Sequence, residues 1–253
     1  MLTEERYEEI IRIVNSNGAV SVQDLVNLLN ISESTARRDL LFLDQAGRLK
    51  RVHGGATSLK DDCGYEADME SITDKYLFHM EEKKRIAKFA AASIQKKDFV
   101  YLDAGSTTEQ MADFLGDSEA TFVTNSIPLA RKLGSSKVRI YIVSGRVKGD
   151  TEAIVGSEMI SMLRRYHFTK GFFGANGISI HAGCSTPDEE EAACKRAAIS
   201  QCTCCYALAD ESKFGLSSHV TFADLSEVKI ITARTDTAFD YEPYQKITEV
   251  HIL

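Results

Sequence analysis

The sequence predicts an α/β protein in two unequal parts: a small helical head closed by a β-ribbon, and a larger body built on a mostly parallel sheet. Three observations lead there. Apolar residues recur at helical spacing as far as Leu43. A glycine-bounded basic stretch, Gly47 to Gly55, follows with room for two short strands. Beyond about residue 80, short apolar runs alternate with amphipathic stretches, the pattern of a parallel sheet covered by helices on both faces.

Each element can be justified in turn. Residues 3–15 place Tyr7, Ile10, Ile11 and Val14 on one helical stripe, which Gly18 ends. Ser21-Val-Gln-Asp24 fits a capping box and opens a second helix, with Leu25, Leu28 and Leu29 expected on its buried side. Ser32 is the expected N-cap of a third helix, in which Ala36, Leu40 and Leu43 face inward. Three short helices and a ribbon make a winged helix-turn-helix. Residues 58–80 are read as a linker and lead-in. A helix over Glu81–Gln95 then puts Ile86, Phe89, Ala90 and Ile94 on one face. Strands are expected at Phe99–Asp103, Thr121–Thr124, Val138–Val143, Gly171–Gly174, Cys204–Ala209, Val228–Thr232 and Glu249–Leu253. The clearest helices between them are Thr108–Leu115 and Glu189–Ser200. The expected division is therefore 1–57 for the winged helix, 58–80 for the linker, and 81–253 for a Rossmann-like α/β domain.

Composition bounds the function. The 253 residues carry 30 Lys+Arg against 37 Asp+Glu, a formal charge of −7. The charge is uneven. Between Ile31 and Lys60 stand six basic residues (Arg37, Arg38, Arg48, Lys50, Arg51, Lys60) and three acidic ones (Glu33, Asp39, Asp44), a net +3. A basic module in an acidic chain points to nucleic acid. A hydrophobic content of 43% is too high for disorder. No apolar run approaches the roughly 18 residues of a membrane span, and the amino terminus is acidic, unlike a signal peptide. A cytoplasmic protein without membrane contact is expected. Six cysteines (Cys63, Cys184, Cys194, Cys202, Cys204, Cys205) are read as small buried hydrophobes, with no metal and no cofactor expected.

On the wheel of the third helix, Ser34 and Arg38 point away from the core, with Thr35 and Arg37 on the flanks. Hydroxyls and guanidiniums on the N-terminal half of such a helix suit base edges and phosphates in a major groove. Arg48, Lys50, Arg51, His53 and Gly54 on the ribbon suit the neighbouring backbone or the minor groove. The competing reading is a solvated face with internal pairs such as Arg37–Glu33 or Arg38–Asp39.

In the larger domain, the strand ending at Asp103 runs into Gly105-Ser106-Thr107-Thr108 and a helix start, where backbone N–H groups and hydroxyls can cradle a phosphate. Thr124-Asn125-Ser126, Arg146, Asn176, Lys195 and Lys213 lie on or beside later loops. In an open parallel sheet, loops at the carboxyl ends of the strands gather at one edge. Hydroxyls, cations and Asp103 together suit a phosphorylated polyol. For each loop alone, ordinary capping chemistry serves equally well.

Residues 6–57 resemble the amino-terminal domain of the DeoR family of bacterial transcription regulators. The matching words are Gly18-Ala-Val-Ser-Val-Gln-Asp-Leu25, Ile31-Ser-Glu-Ser-Thr-Ala-Arg-Arg-Asp-Leu40 and Gly47-Arg-Leu-Lys-Arg-Val-His-Gly-Gly-Ala56. Residues 75–232 resemble the family's sensor domain through Asp103-Ala-Gly-Ser-Thr-Thr108, Val123-Thr-Asn-Ser126, Val155-Gly156, Phe173-Gly-Ala-Asn-Gly-Ile178, Glu191-Ala-Ala-Cys-Lys-Arg196 and Ala209-Asp-Glu-Ser-Lys-Phe-Gly215. The resemblance implies a repressor that binds operator DNA as a homo-oligomer, dimer or tetramer, and answers to a sugar phosphate. Departures are Ala36 for the usual Ile, Gly145-Arg146 for Gly-Gly, Lys170 near a usual acidic residue, and Ile231-Thr-Ala233 for Ile-Thr-Asp. The chain beyond Thr232 matches poorly. The sensor domain is also similar in fold to ribose-5-phosphate isomerase, so a sugar-phosphate isomerase is the alternative. That chemistry needs a carboxylate base, and Asn176 and Ser179 stand where the isomerase resemblance puts aspartates. No catalytic residue is assigned.

Overall fold

A computed structural model of the chain describes residues 3–17, 19–46, 48–52, 54–57, 78–235 and 239–253. The chain divides into two compact units, Met1–Phe78 and His79–Leu253.

In the first unit, helices α1 (Thr3–Asn17), α2 (Val22–Leu29) and α3 (Glu33–Gln45) surround one core. Strands β1 (Ala19–Ser21), β2 (Lys50–Val52) and β3 (Gly55–Thr57) form an antiparallel sheet in the order β1-β3-β2. The third strand was not expected, because three residues after Gly18 give no periodicity. Ser21 accepts from the Asp24 N–H and Asp24 reaches back to Ser21, so the capping box forms. Ser32 caps α3 by accepting from the Thr35 N–H. Ala36, Leu40 and Leu43 are fully buried. Leu28 is a correction: it is 62% exposed. The inward stripe of α2 runs through Val22, Leu25, Val26 and Leu29, and Leu28 falls off it. Gly54 has φ +85°, and a Cβ on Gly55 would sit 2.1 Å from the Val20 carbonyl oxygen. The Gly-Gly pair is thus demanded twice, by a left-handed turn and by the close approach of β1.

The second unit is built on seven strands in the order β15-β14-β12-β9-β4-β5-β6, with every pairing parallel. They are β4 (Phe99–Leu102), β5 (Thr121–Thr124), β6 (Arg139–Ile142), β9 (Phe168–Gly174), β12 (Cys202–Leu208), β14 (Lys229–Thr232) and β15 (Val250–Ile252). Alternate residues feed two cores. Tyr101, Phe173 and Ala207 pack on one side with residues of α9 (Glu189–Ile199). Val100, Leu102, Phe172 and Leu208 pack on the other with residues of α4 (Met80–Ala92). Burial on both faces explains why these strands read as continuous apolar runs. A hairpin of β7 (Arg146–Lys148) and β8 (Ala153–Val155), and an antiparallel sheet of β10 (Gly177–Ser179), β11 (Gly183–Thr186) and β13 (Val220–Ala223), flank it.

Two expectations need adjustment. Phe89 is half-exposed beside His251 rather than on the buried face of α4. The helix expected over Thr108–Leu115 is two short ones, α5 (Ser106–Gln110) and α6 (Ala112–Leu115), parted at Met111. The chain order places the reversal of the sheet between β4 and β9. From β4 the chain builds outward to β5 and β6, then returns through β9 to β12, β14 and β15.

Candidate functional site

In the first unit, the outward side of α3 carries the expected residues. Ser34 is exposed, with its hydroxyl 2.9 Å from that of Ser32, and the Thr35 hydroxyl lies 2.8 Å from the same oxygen. Arg37 is paired with Glu33 at 2.6 Å, one turn back, and both side chains are more than half exposed. Arg38 is exposed and makes no hydrogen bond or ion pair among the described residues. Its neighbour Asp39 is fully buried and binds Arg6 of α1 at 2.6 Å. Of the two internal pairs weighed for this face, Arg37–Glu33 therefore forms, while Asp39 turns inward and leaves Arg38 to solvent.

The ribbon stands beside this helix. The Arg51 N–H donates to Asp44 Oδ1 at 2.7 Å, and the Val22 N–H donates to the Gly54 carbonyl at 2.8 Å. Lys50 and Arg51 are exposed. Arg48 instead lays its guanidinium over the Phe78 ring, 4.2 Å from the centroid. His53 lies outside the described residues. Between helix and ribbon is a cavity of about 270 Å³, lined by Val22, Arg37, Leu40, Arg51, Val52, Gly54 and Gly55. Two guanidiniums over an apolar floor suit a sugar–phosphate backbone.

In the second unit, the carboxyl ends of β4 and β9 meet at the reversal of the sheet. Asp103 is 2% exposed and Lys195 of α9 is 4% exposed, and the two form an ion pair. The Gly174 N–H donates to Asp103 Oδ2 at 3.2 Å, and Lys195 Nζ donates to the Gly174 carbonyl at 3.1 Å. One carboxylate and one ammonium thus clamp the end of β9 against the end of β4. Burial pushes the Asp103 carboxyl up, with the Lys195 ammonium pulling against it.

Beside the clamp, the Ser106 and Thr107 hydroxyls make no hydrogen bond among the described residues. The Thr108 hydroxyl donates to the carbonyls of Asp103 and Gly105, so it closes the turn. Gly105 lies against Gly174: a Cβ there would be 3.8 Å from the Gly174 Cα. Thr124, Asn125 and Ser126 are buried in internal bonds. Asn125 accepts from the Ala104 N–H at 2.9 Å and donates to the Ile154 carbonyl; Thr124 donates to the Leu102 carbonyl; Ser126 caps the helix Ile127–Gly134. Arg146 forms an exposed pair with Glu190, and Lys148 pairs with Asp188 and Glu191, which fastens the β7–β8 hairpin to the start of α9. Asn176 accepts from the Thr186 hydroxyl at 3.3 Å.

Lys213 sits on the short 3-10 turn Glu211–Lys213. Burial opposes the charge of Asp210, but His79, Lys213 and Lys83 hold its carboxyl well below the usual carboxylate range. The sequence reading missed Glu211, Tyr241 and Tyr244. Glu211 is buried and accepts from the Thr235 and Tyr241 hydroxyls at 2.6 and 2.8 Å. No local pattern joins residues so far apart in the chain. Among the described residues, no cluster of three His, Cys, Asp or Glu could hold a metal ion, and no helix is long and apolar enough to cross a membrane.

Comparison with known proteins agrees with both halves. Residues 6–62 match the DeoR-like helix-turn-helix domain, and residues 78–234 match the DeoR C-terminal sensor domain. An HTH-type transcriptional regulator FruR of Bacillus subtilis (strain 168), described as uncharacterized, is 40% identical across 100% of this chain and 99% of its own. A lactose phosphotransferase system repressor of Staphylococcus aureus (strain NCTC 8325 / PS 47) is 31% identical across 97% and 95%. A ribose 5-phosphate isomerase A from Methanocaldococcus jannaschii is similar over 52% of this chain and 53% of its own, at TM-score 0.40 and 15% identity, too slight a likeness to bear on function. A helix-turn-helix head with Arg38 exposed, a sensor domain with a clamped sheet edge, and full-length relatives that are regulators together place the chain in the DeoR family of transcriptional regulators.

Proposed function

We propose that this chain represses a sugar-utilisation operon and that a phosphorylated sugar, bound at the β4–β9 edge, controls its hold on the operator. The observation that carries the effector reading is the coincidence of the sheet's reversal with the Asp103–Lys195 clamp. Ligands of open parallel sheets bind outside the carboxyl ends of the strands where the order reverses. There the Ser106 and Thr107 hydroxyls and the backbone N–H groups of the Gly105 turn offer donors to a phosphate. Lys195, already neutralised by Asp103, meets the sugar's hydroxyls, and Lys213 adds charge from the neighbouring loop. The repressor reading is supported by the name of the staphylococcal relative.

On DNA, α3 lies in the major groove. Arg38 reads a base with Ser34 and Thr35 beside it, while Arg37, Lys50, Arg51, Gly54 and, in the segment not described, His53 meet the backbone. Arg48 stacks on the Phe78 ring instead. One head of this size makes too few contacts for a specific site, so a homo-oligomer, dimer or tetramer, acts on paired half-sites in the cytoplasm.

The test is a thermal-shift screen of fructose 1-phosphate, fructose 6-phosphate, glucose 6-phosphate, ribose 5-phosphate and inorganic phosphate, followed by a mobility-shift titration on the upstream DNA. A ligand at 100 times its Kd stabilises the fold by ~2.7 kcal/mol. The expected result is a shift with one sugar phosphate, none with the free sugar, and release of DNA by the same compound. A ligand that stabilises the protein and leaves DNA binding untouched would remove the control reading.

A further inference from the structure

The segment after Ala233 lies largely outside the matched sensor domain, which ends at residue 234. Its described residues 239–253 pack on the candidate site's loops. Helix α10 (Glu242–Gln245) and the edge strand β15 hold it, with Ile230, Ile231 and Thr232 paired to Val250, His251 and Ile252. Two buried tyrosines project from it. Tyr241 donates its hydroxyl to Glu211 at 2.8 Å. The Tyr244 hydroxyl accepts from the Gly215 N–H at 3.0 Å and donates to the Ile178 carbonyl at 3.4 Å. Gly215 N–H also reaches the Ile178 carbonyl directly, at 2.9 Å. The Phe214 ring stands edge-on to Phe239, Tyr241 and Tyr244, at 5.5, 5.1 and 5.0 Å.

These contacts have one geometry in common. The loop 210–215 carries Lys213, and the loop 174–178 carries Asn176 and runs on from Gly174, the residue clamped by Asp103 and Lys195. The two loops already meet backbone to backbone, Gly215 N–H to the Ile178 carbonyl, and the Tyr244 hydroxyl bonds both of those groups from the side. Tyr241 fixes the start of the first loop through Glu211. We infer that Tyr244 and Tyr241 are positioning residues of the effector site: they brace the junction between the Lys213 loop and the Gly174–Ile178 segment, and so tune the affinity for the ligand proposed to bind at that edge. This rests on the reading of that edge as the effector site. The tyrosines do not touch the ligand. Their hydroxyls add a second partner to the Gly215–Ile178 backbone bond and to the Glu211 carboxylate, which stiffens both loops.

The experiment uses the full chain with Tyr244→Phe and Tyr241→Phe, which keep the rings and delete only the hydroxyls. Calorimetric titration uses whichever of fructose 1-phosphate, fructose 6-phosphate, glucose 6-phosphate and ribose 5-phosphate the wild-type protein binds. Operator affinity without ligand and the urea midpoint are measured alongside. The expected result for Tyr244→Phe is a Kd raised roughly fivefold or more, with operator affinity unchanged and the urea midpoint shifted little; the loss of about one hydrogen bond sets that scale. Tyr241→Phe should show the same split with a smaller change. An unchanged Kd in both variants overturns the inference and leaves the site where it was placed. A parallel fall of ligand affinity, operator affinity and urea midpoint also overturns it, since the tyrosines would then only hold the fold. If the wild-type chain binds none of the four compounds, the reading of the edge fails, and the inference with it.

Discussion

Two ion pairs of similar make-up, one in each unit, behave as opposites. Arg37–Glu33 on α3 spans one helical turn, with both side chains more than half exposed. Asp103–Lys195 at the sheet edge joins residues 92 apart in sequence, with side chains 3% and 5% exposed. An exposed pair is worth ~0–1 kcal/mol and exchanges partners with water, salt or a phosphate at little cost. A buried pair contributes modestly as a pair but leaves a stranded charge when one member is removed. The face proposed to meet DNA therefore keeps Arg37 exchangeable, as a surface sliding between sequences would require. The sensor-domain edge keeps its charges fixed, as the proposed effector site would need in order to discriminate hydroxyl positions.

The widest gap should show in stability. Lys195→Met leaves the Asp103 carboxylate uncompensated and should destabilise the second unit by ~3–5 kcal/mol, read from its urea transition. Adding Asp103→Leu should restore much of that loss, because both charges are then gone; no recovery would mean that the pair is not what the fold depends on there. Next comes Arg38→Ala, expected to weaken operator binding by ~1–3 kcal/mol and to relax one base position, whereas Arg37→Ala should weaken all sequences alike. Mobility-shift titrations against a set of single-base operator variants separate the two. Equal behaviour of the two variants would erase the distinction drawn between them.

A smaller effect is expected at acid pH. The Asp210 carboxyl is held below its unfolded value, so the stability it supplies is complete above the ordinary aspartate range near pH ~3.9 and is lost as pH falls through the folded value. Thermal midpoints taken from pH 6 downward should fall less steeply below about pH 4 in Asp210→Asn than in the wild type. The smallest change belongs to Glu33→Gln. Freed from its partner, Arg37 should engage a phosphate more readily, raising affinity for random DNA and steepening the log–log salt dependence by about 0.9. An unaltered slope would show that water, not Glu33, already holds Arg37 in the free protein.

Periodicity made the helices of the head and the main strands of the body legible, because Ala36, Leu40 and Leu43 or the run Phe99–Leu102 state their burial locally. Capping was legible for the same reason at Ser21 and Ser32. What escaped was mostly non-local. Arg6 and Asp39 are 33 residues apart, and nothing near either one announces the pair. The strands of the β10–β11–β13 sheet are three or four residues long, too short for alternation to be read. At the candidate effector edge, composition found the loops but not the division of labour within them. Asn125 looks like a ligand donor in sequence, yet both ends of its amide tie the chain to itself. Lys195 and Asp103 look like ligand groups by their charge, yet their first partner is each other.

The bond from the Arg51 N–H to Asp44 has a consequence for engineering and for evolution. Asp44 sits in the last turn of α3, and Arg51 is in the ribbon, so helix and ribbon turn as one body. On the DNA contacts proposed above, they would act as a ruler of fixed length on the duplex, with one mark at the bases under Arg38 and the other at the phosphates under the ribbon. A half-site lengthened by one base pair between those marks would rotate the second mark away from its phosphate rather than stretch the protein to follow. Transplanting a new specificity into this head should therefore succeed when the block from Ser32 to Thr57 moves as a unit, and fail when the outward residues of α3 are exchanged while a ribbon cut to another helix stays behind.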